Sequence, residues 1–195
     1  PFMAPEQAND PHRLARVFHG EHETKDGFKT IATYRDEFRE WVAGRYVAVP
    51  DREIRARVTT STKREFDRLA RVAMLEGGNG AEPVAAAPVT MPLVSNVVQA
   101  VQSTNCLPST VECPCWLEKN SWPASEVLAA RNGILHVPSF IQGGPCFLPP
   151  TPRYFTTTAL PYDVDLSAPA PREWLAFLQT IWADDAESIE ALRRW

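Results

Sequence analysis

The spacing of apolar residues changes several times along this chain, and each change marks a predicted element. Behind Asp10-Pro11, an N-cap followed by proline at the first helical position, Leu14, Val17 and Phe18 share one face and predict a short helix over 11–22. The stretch IATYRDEFREWVAGRYVAVP then switches to aromatic and β-branched residues, predicting a β-meander with strands at 31–34, 38–42 and 45–49. Arg35-Asp36-Glu37 and Ala43-Gly44 punctuate it, and Gly44 suits a turn with positive φ.

Asp51 can cap a helix starting at Arg52. The run Thr59-Thr60-Ser61-Thr62 predicts a break, and Thr62-x-x-Glu65 reads as a capping box opening a second helix with Phe66, Leu69, Ala70 and Ala73 on its apolar side. Glycine, proline and small residues make 77–92 a linker. A helix over 92–104 follows, with Leu93, Val94, Val97, Val98 and Val101 as its buried stripe. Residues 105–130 read as irregular. Short proline-bounded strands are expected at 133–137, 146–148 and 154–164. Two helices close the chain: one from Pro171 carrying Trp174, Leu175, Phe177, Leu178, Ile181 and Trp182, the other capped by Asp184 with Ile189 and Leu192 facing inward.

These elements imply an α+β fold: an N-terminal helix–meander–helix part over 1–76, a linker or long loop at 77–92, and a C-terminal part over 93–195 of short strands with flanking helices. Composition changes this picture little. Apolar residues make up 44% and charged residues 23% of the chain, so it can bury a core. Cys106, Cys113, Cys115 and Cys146 are too few for a disulfide framework; with no secretory pattern and no membrane-length apolar run, a reduced, cytoplasmic chain is expected.

Candidate chemistry is sparse. Neither GxxxxGK[ST] nor GxGxxG is present, so no catalytic residue and no cofactor is assigned to this stretch. Cys113-Pro114-Cys115 is spaced too tightly for a zinc pair, and small buried hydrophobes are the plainer reading. His12, His19 and His22 read as surface residues, and His136 as a hydrogen-bonded structural one. Asp163 and Asp165 can hold a divalent cation, but turn chemistry accounts for them, so no metal is assigned.

Charge is uneven. Residues 10–75 hold 14 Lys and Arg against 11 Asp and Glu, a net +3, while the rest is net −7. Arg35, Arg39 and Arg45 lie among Tyr34, Trp41 and Tyr46 on the meander, and Arg64, Arg68 and Arg71 form a helical stripe. A basic and aromatic face of this kind can bind single-stranded nucleic acid, and these six arginines are the candidate contacts. A solvated, salt-bridged helix is the alternative for the second trio.

Two stretches carry a resemblance. Asn132-Gly133, Pro149, Thr151-Pro152, Phe155-Thr156 and Leu160-Pro161-Tyr162-Asp163, then Trp174-Leu175, Phe177-Leu178, Ile181-Trp182 and Asp184-Asp185, resemble the region preceding the ATPase core of phage and plasmid primase–helicases of superfamily 3. Poxvirus helicase–primases have a related segment, and 38–58 is similar to the family's N-terminal hairpin and helix. The resemblance implies a collar-like accessory region that aids ring assembly and passes DNA toward a motor. Its partners would be DNA, its own helicase core and copies of itself. ATP and magnesium would belong to the motor, whose phosphate loop is expected beyond Trp195, making this chain a fragment. A pure protein-interaction module without DNA contact is the other reading. The proline motifs would be architectural. The length of 77–92 and Cys113-Pro114-Cys115 depart from the pattern.

Overall fold

The computed structural model describes residues 6–77, 85–183 and 185–194. The fold is α+β, in the order α1 (Pro11–Gly20), β1 (Ile31–Tyr34), β2 (Glu37–Val42), β3 (Arg45–Val49), α2 (Asp51–Glu76), α3 (Met91–Thr104), β4 (Cys115–Trp116), β5 (Val127–Ala130), β6 (Gly133–His136), α4 (Val137–Ile141), β7 (Phe147–Leu148), β8 (Tyr154–Phe155), α5 (Arg172–Ile181) and α6 (Ala186–Arg194). A 3-10 turn, Ala124–Glu126, leads into β5. No described helix is long and apolar enough to cross a membrane.

Among the described residues three small sheets form. β1, β2 and β3 are an antiparallel meander, β4 pairs with β8, and β5, β6 and β7 make a second meander. In the first, Ala32 faces Arg39, Tyr34 faces Glu37 and Trp41 faces Tyr46 across the ladders. Alternation therefore sends Ile31, Phe38 and Val49 to one side, where they join Leu14, Phe18, Ile54, Val58, Val97 and Val101 in a core built by α1, α2 and α3. Ala32, Tyr34 and Tyr46 go to the other side and enclose Phe155, with Trp41 against them. Both faces of the first meander are covered.

Long-range backbone pairing extends this sheet. Thr33 donates to Asn105 O (2.9 Å) and accepts from the Leu107 amide (2.8 Å), so the chain leaving α3 runs parallel to β1. The Tyr46 amide donates to Thr156 O (2.7 Å), and its hydroxyl to Pro152 O (2.8 Å). Both hairpins turn on two residues with positive φ: Arg35 (50°) with Asp36 (64°), and Ala43 (50°) with Gly44 (85°). This matches the right-handed strand twist. At Gly44 a Cβ would lie 2.6 Å from Ala130 O, so the second hairpin needs glycine for space as well as for φ.

Several expectations need correction. No break occurs at 59–62; α2 is one helix of 26 residues. Thr59 and Thr60 donate to Arg55 O (2.8 Å) and Ala56 O (3.1 Å) within the helix, and Ser61 and Thr62 are buried. Glu65 is not a capping residue but a buried carboxylate held by Arg13 and Arg68. Asp51 lies inside the first turn, where its carboxylate meets Arg55 (2.6 Å) rather than capping the helix.

Irregularity at 105–130 is relieved by β4 and β5, while 156–164 forms no strand beyond a single bridge of Leu160 to Ala130. α4 was not expected. Asp184 lies outside the described residues, and Asp185 is the cap, accepting from the Ser188 amide (3.0 Å). Leu192 is exposed rather than inward-facing.

The boundary expected at 77–92, of which 78–84 lies outside the described residues, does not divide the compact units. α3 beyond it packs with α1 and α2 in one core, and the division falls between Val164 and Asp165. In the second unit, α5 buries Leu178 and exposes Trp174, Phe177 and Ile181.

His19 was expected at the surface and is buried on α1, its Nε2 3.0 Å from the Thr104 hydroxyl of α3. Burial, then the Lys29 charge, lowers its pKa to about 4, opposed by a hydrogen bond at Val101 and reinforced by His22. Folding thus favours the neutral ring. That stabilisation is complete above pH ~6.5 and is lost as pH falls toward 4, amounting to roughly 3 kcal/mol. Urea titrations across this window should show the slope, and His19→Gln should flatten it. Gly44→Ala, which adds left-handed strain and a collision with Ala130 O, should cost roughly 2–4 kcal/mol by the same measurement.

Candidate functional site

The six candidate arginines are not gathered on one face. Arg64 pairs with Glu21 (3.0 Å), and Arg68 grips Glu65 through Nε (2.7 Å) and Nη2 (2.9 Å). Arg71 donates to Asp67 O one turn back (3.3 Å). Glu65 is only 6% exposed, and the Arg68 hydrogen bond, ahead of its contacts with Arg13, holds its carboxyl below the usual range. Freeing Arg68 would leave a buried carboxylate short of a partner, a costly step. Arg68 and Arg71 thus bond within α2, Arg64 reaches Glu21 just after α1, and Arg13 ties α1 to Glu65. Arg45 stands apart at the second hairpin.

Arg35 and Arg39 do come together. They line an open cleft of about 400 Å3 with Tyr34, Glu37, Glu112, Cys113 and Thr157. The β1–β2 turn carries Arg35, whose guanidinium lies 5.0 Å from the Tyr34 ring centre and 3.5 Å from Glu112 Oε2. Tyr34 is fixed beneath it by its hydroxyl, which donates to Val111 O (2.8 Å). Arg39 pairs with Glu37, and its buried Nε has no acceptor among the described residues. Both carboxylates are mostly in solvent, Glu37 57% and Glu112 84% exposed. Such pairs contribute little and exchange readily.

The aromatic half of the expected nucleic-acid face is spent on the core. Tyr34 and Tyr46 hold the Phe155 ring at centroid distances of 4.9 and 4.8 Å. Burial raises the Tyr46 hydroxyl far above its ordinary pKa. A base cannot stack on these rings while the core is closed.

Cys113 and Cys115 pack half-buried against the same cluster, and burial, then Cys113, raises the Cys115 thiol. Among the described residues no three His, Cys, Asp or Glu side chains are placed to hold a metal ion. Asp163 pairs with Arg131 (2.8 Å), and Asp165 accepts from the Ser167 hydroxyl (2.7 Å) and amide (2.9 Å). Both do turn and ion-pair chemistry.

His136 is buried and stacked on Trp122, with ring planes 5° apart at 4.7 Å. Nδ1 accepts from the Ser139 amide (3.4 Å) and lies 2.7 Å from its hydroxyl, while Nε2 meets Glu126 (3.2 Å). An Nδ1 that accepts from an amide carries no proton, so Nε2–H donates to Glu126. The spacing of a serine, a histidine and an acid here serves to cap α4. Only the short i,i+3 separation of His136 and Ser139 hinted at it in the sequence.

The proline-rich motifs are held by named contacts. Asn132 pairs with the Val164 backbone through both halves of its amide, accepting from the amide nitrogen and donating to the carbonyl at 2.9 Å each. The Leu160 amide donates to Ala129 O (2.9 Å). A Cβ on Gly133 would lie 2.3 Å from the Phe147 ring. Arg153, next to Thr151-Pro152, reaches Asp26 (2.7 Å) and Glu118 (2.6 Å) and covers the Phe28 ring at 4.8 Å. An otherwise irregular path is thereby fixed.

Comparison with protein-family models, with curated proteins and with solved structures finds no match.

Asn132→Ala should remove two hydrogen bonds and cost roughly 1–3 kcal/mol. Amide hydrogen exchange at Leu160 and Val164 should quicken while exchange in α1 stays slow.

Proposed function

We propose that this chain is an accessory, collar-like region of a mobile-element replicative helicase–primase, one that organises the assembly and handles DNA. The observation that carries the reading is the run from Asn132 to Asp163. Its residues resemble those preceding superfamily 3 motors, and they serve here as clamps, with Asn132 gripping Val164 and Pro152 O accepting from Tyr46. A segment fixed in this way suits a scaffold. Trp174, Phe177 and Ile181 on the exposed side of α5 offer a surface for protein contact, with Trp174 and Phe177 stacked at 5.6 Å. ATP and magnesium belong to the motor in this reading, and copies of the chain, the helicase core and DNA are its partners.

One observation favours the second reading, an assembly module that never touches DNA. Arg35, Arg39, Arg64 and Arg68 already have carboxylate partners within the chain. Salt-dependent anisotropy with labelled single-stranded and duplex DNA separates the two. The accessory-helicase reading expects low-salt binding that weakens steeply with added salt. No binding at low salt would leave only assembly. Light scattering should then detect self-association lost in Trp174→Glu/Phe177→Glu; a monomer at all concentrations with no DNA affinity would remove both readings.

A further inference from the structure

We propose that the Arg35–Arg39 cleft binds a phosphodiester of single-stranded DNA, with Glu37 and Glu112 as built-in competitors that the phosphate displaces. This rests on the DNA-handling part of the proposed function and assigns it to one place. Two guanidiniums converge on an open cleft of about 400 Å3, with the Thr157 hydroxyl also on its wall. Planar guanidinium forks match phosphate oxygens better than point charges do.

Three features distinguish this pair from the other arginines. First, Arg35 occupies a left-handed position (φ 50°) that asparagine or glycine would fill with less strain. The hairpin turn sets that conformation, and it puts a guanidinium at the turn on the cleft wall. Second, the guanidinium is pre-set by the Tyr34 ring at 5.0 Å, and that ring is anchored through its hydroxyl to Val111. Third, the carboxylate that Arg39 pairs with, Glu37, is 57% exposed, so a phosphate can take its place on the guanidinium.

The competitors decide the affinity. Glu37 and Glu112, mostly in solvent, can swing away at small cost, whereas Glu65 under Arg68 cannot. With the carboxylates in place the cleft is close to neutral; when they leave it carries two positive charges. Binding by the unmodified chain is therefore weak and strongly dependent on salt.

The test uses the whole chain and a labelled oligothymidine across a salt series. Glu37→Gln/Glu112→Gln should bind roughly tenfold tighter, while Asp51→Asn/Glu53→Gln, an equal charge change on α2, should stay within about twofold. Arg39→Gln should weaken binding and lower the salt slope by about one. If the chain binds but Arg35→Gln and Arg39→Gln leave affinity and slope unchanged, the cleft assignment is wrong and the DNA reading survives. If neither the chain nor Glu37→Gln/Glu112→Gln binds at low salt, both fall. Inorganic phosphate at equal phosphate concentration should compete poorly; full competition would make this a small-anion site and overturn the proposal.

Discussion

Phe155, with none of its surface exposed, sits between Tyr34 and Tyr46 on the far side of a three-stranded sheet whose near side is already covered by helices. A sheet this small cannot stand alone in water, because three short strands bury too little unless something packs on them. Here both faces are packed, and from different parts of the chain. α1, α2 and α3 supply one cover, and the Thr-Pro segment with β4 and β8 supplies the other. The hairpin at Gly44 touches Ala130, and Tyr46 reaches Pro152 and Thr156, so the irregular half of the unit takes its position from the meander.

The same economy governs the charges. Near the helical layer Arg68 is committed to Glu65, a carboxylate only 6% exposed whose partner cannot be exchanged without loss. The arginines at the first hairpin are paired with carboxylates that stand in solvent. A chain of net charge −4 can thus keep a local positive reserve without a basic face, because what matters is how firmly each cation is held.

Much of the fold was legible where the period was strong. The alternation at 31–49, the stripe from Val94 to Val101 and the Asp10-Pro11 start all act on a few neighbouring residues and hold in the structure. What was hidden depended on distant partners. The Thr59–Thr62 stretch stays helical because its hydroxyls bond back along the helix or face the core, overriding weak propensity. Val127–Ala130, with two alanines, is a strand only because Gly133–His136 pairs with it. At 156–164 the β-branched residues found no second strand to lie beside. The site was half legible: arginines among aromatics were visible, but not that the rings would turn into the core, nor that Arg35 and Arg39 alone would share a cleft.

The bond from the Tyr46 hydroxyl to Pro152 joins residues 106 positions apart. During synthesis from the N-terminus, the strands and their helical cover emerge long before the segment that closes the other face. Until Phe155 leaves the ribosome, two tyrosines and a tryptophan face water, and the nascent chain is most exposed to aggregation and to chaperone capture in that interval. A gene truncated between residues 105 and 154 would keep α1, α2 and α3 on one face of the sheet and leave the Tyr34–Tyr46 face without Phe155.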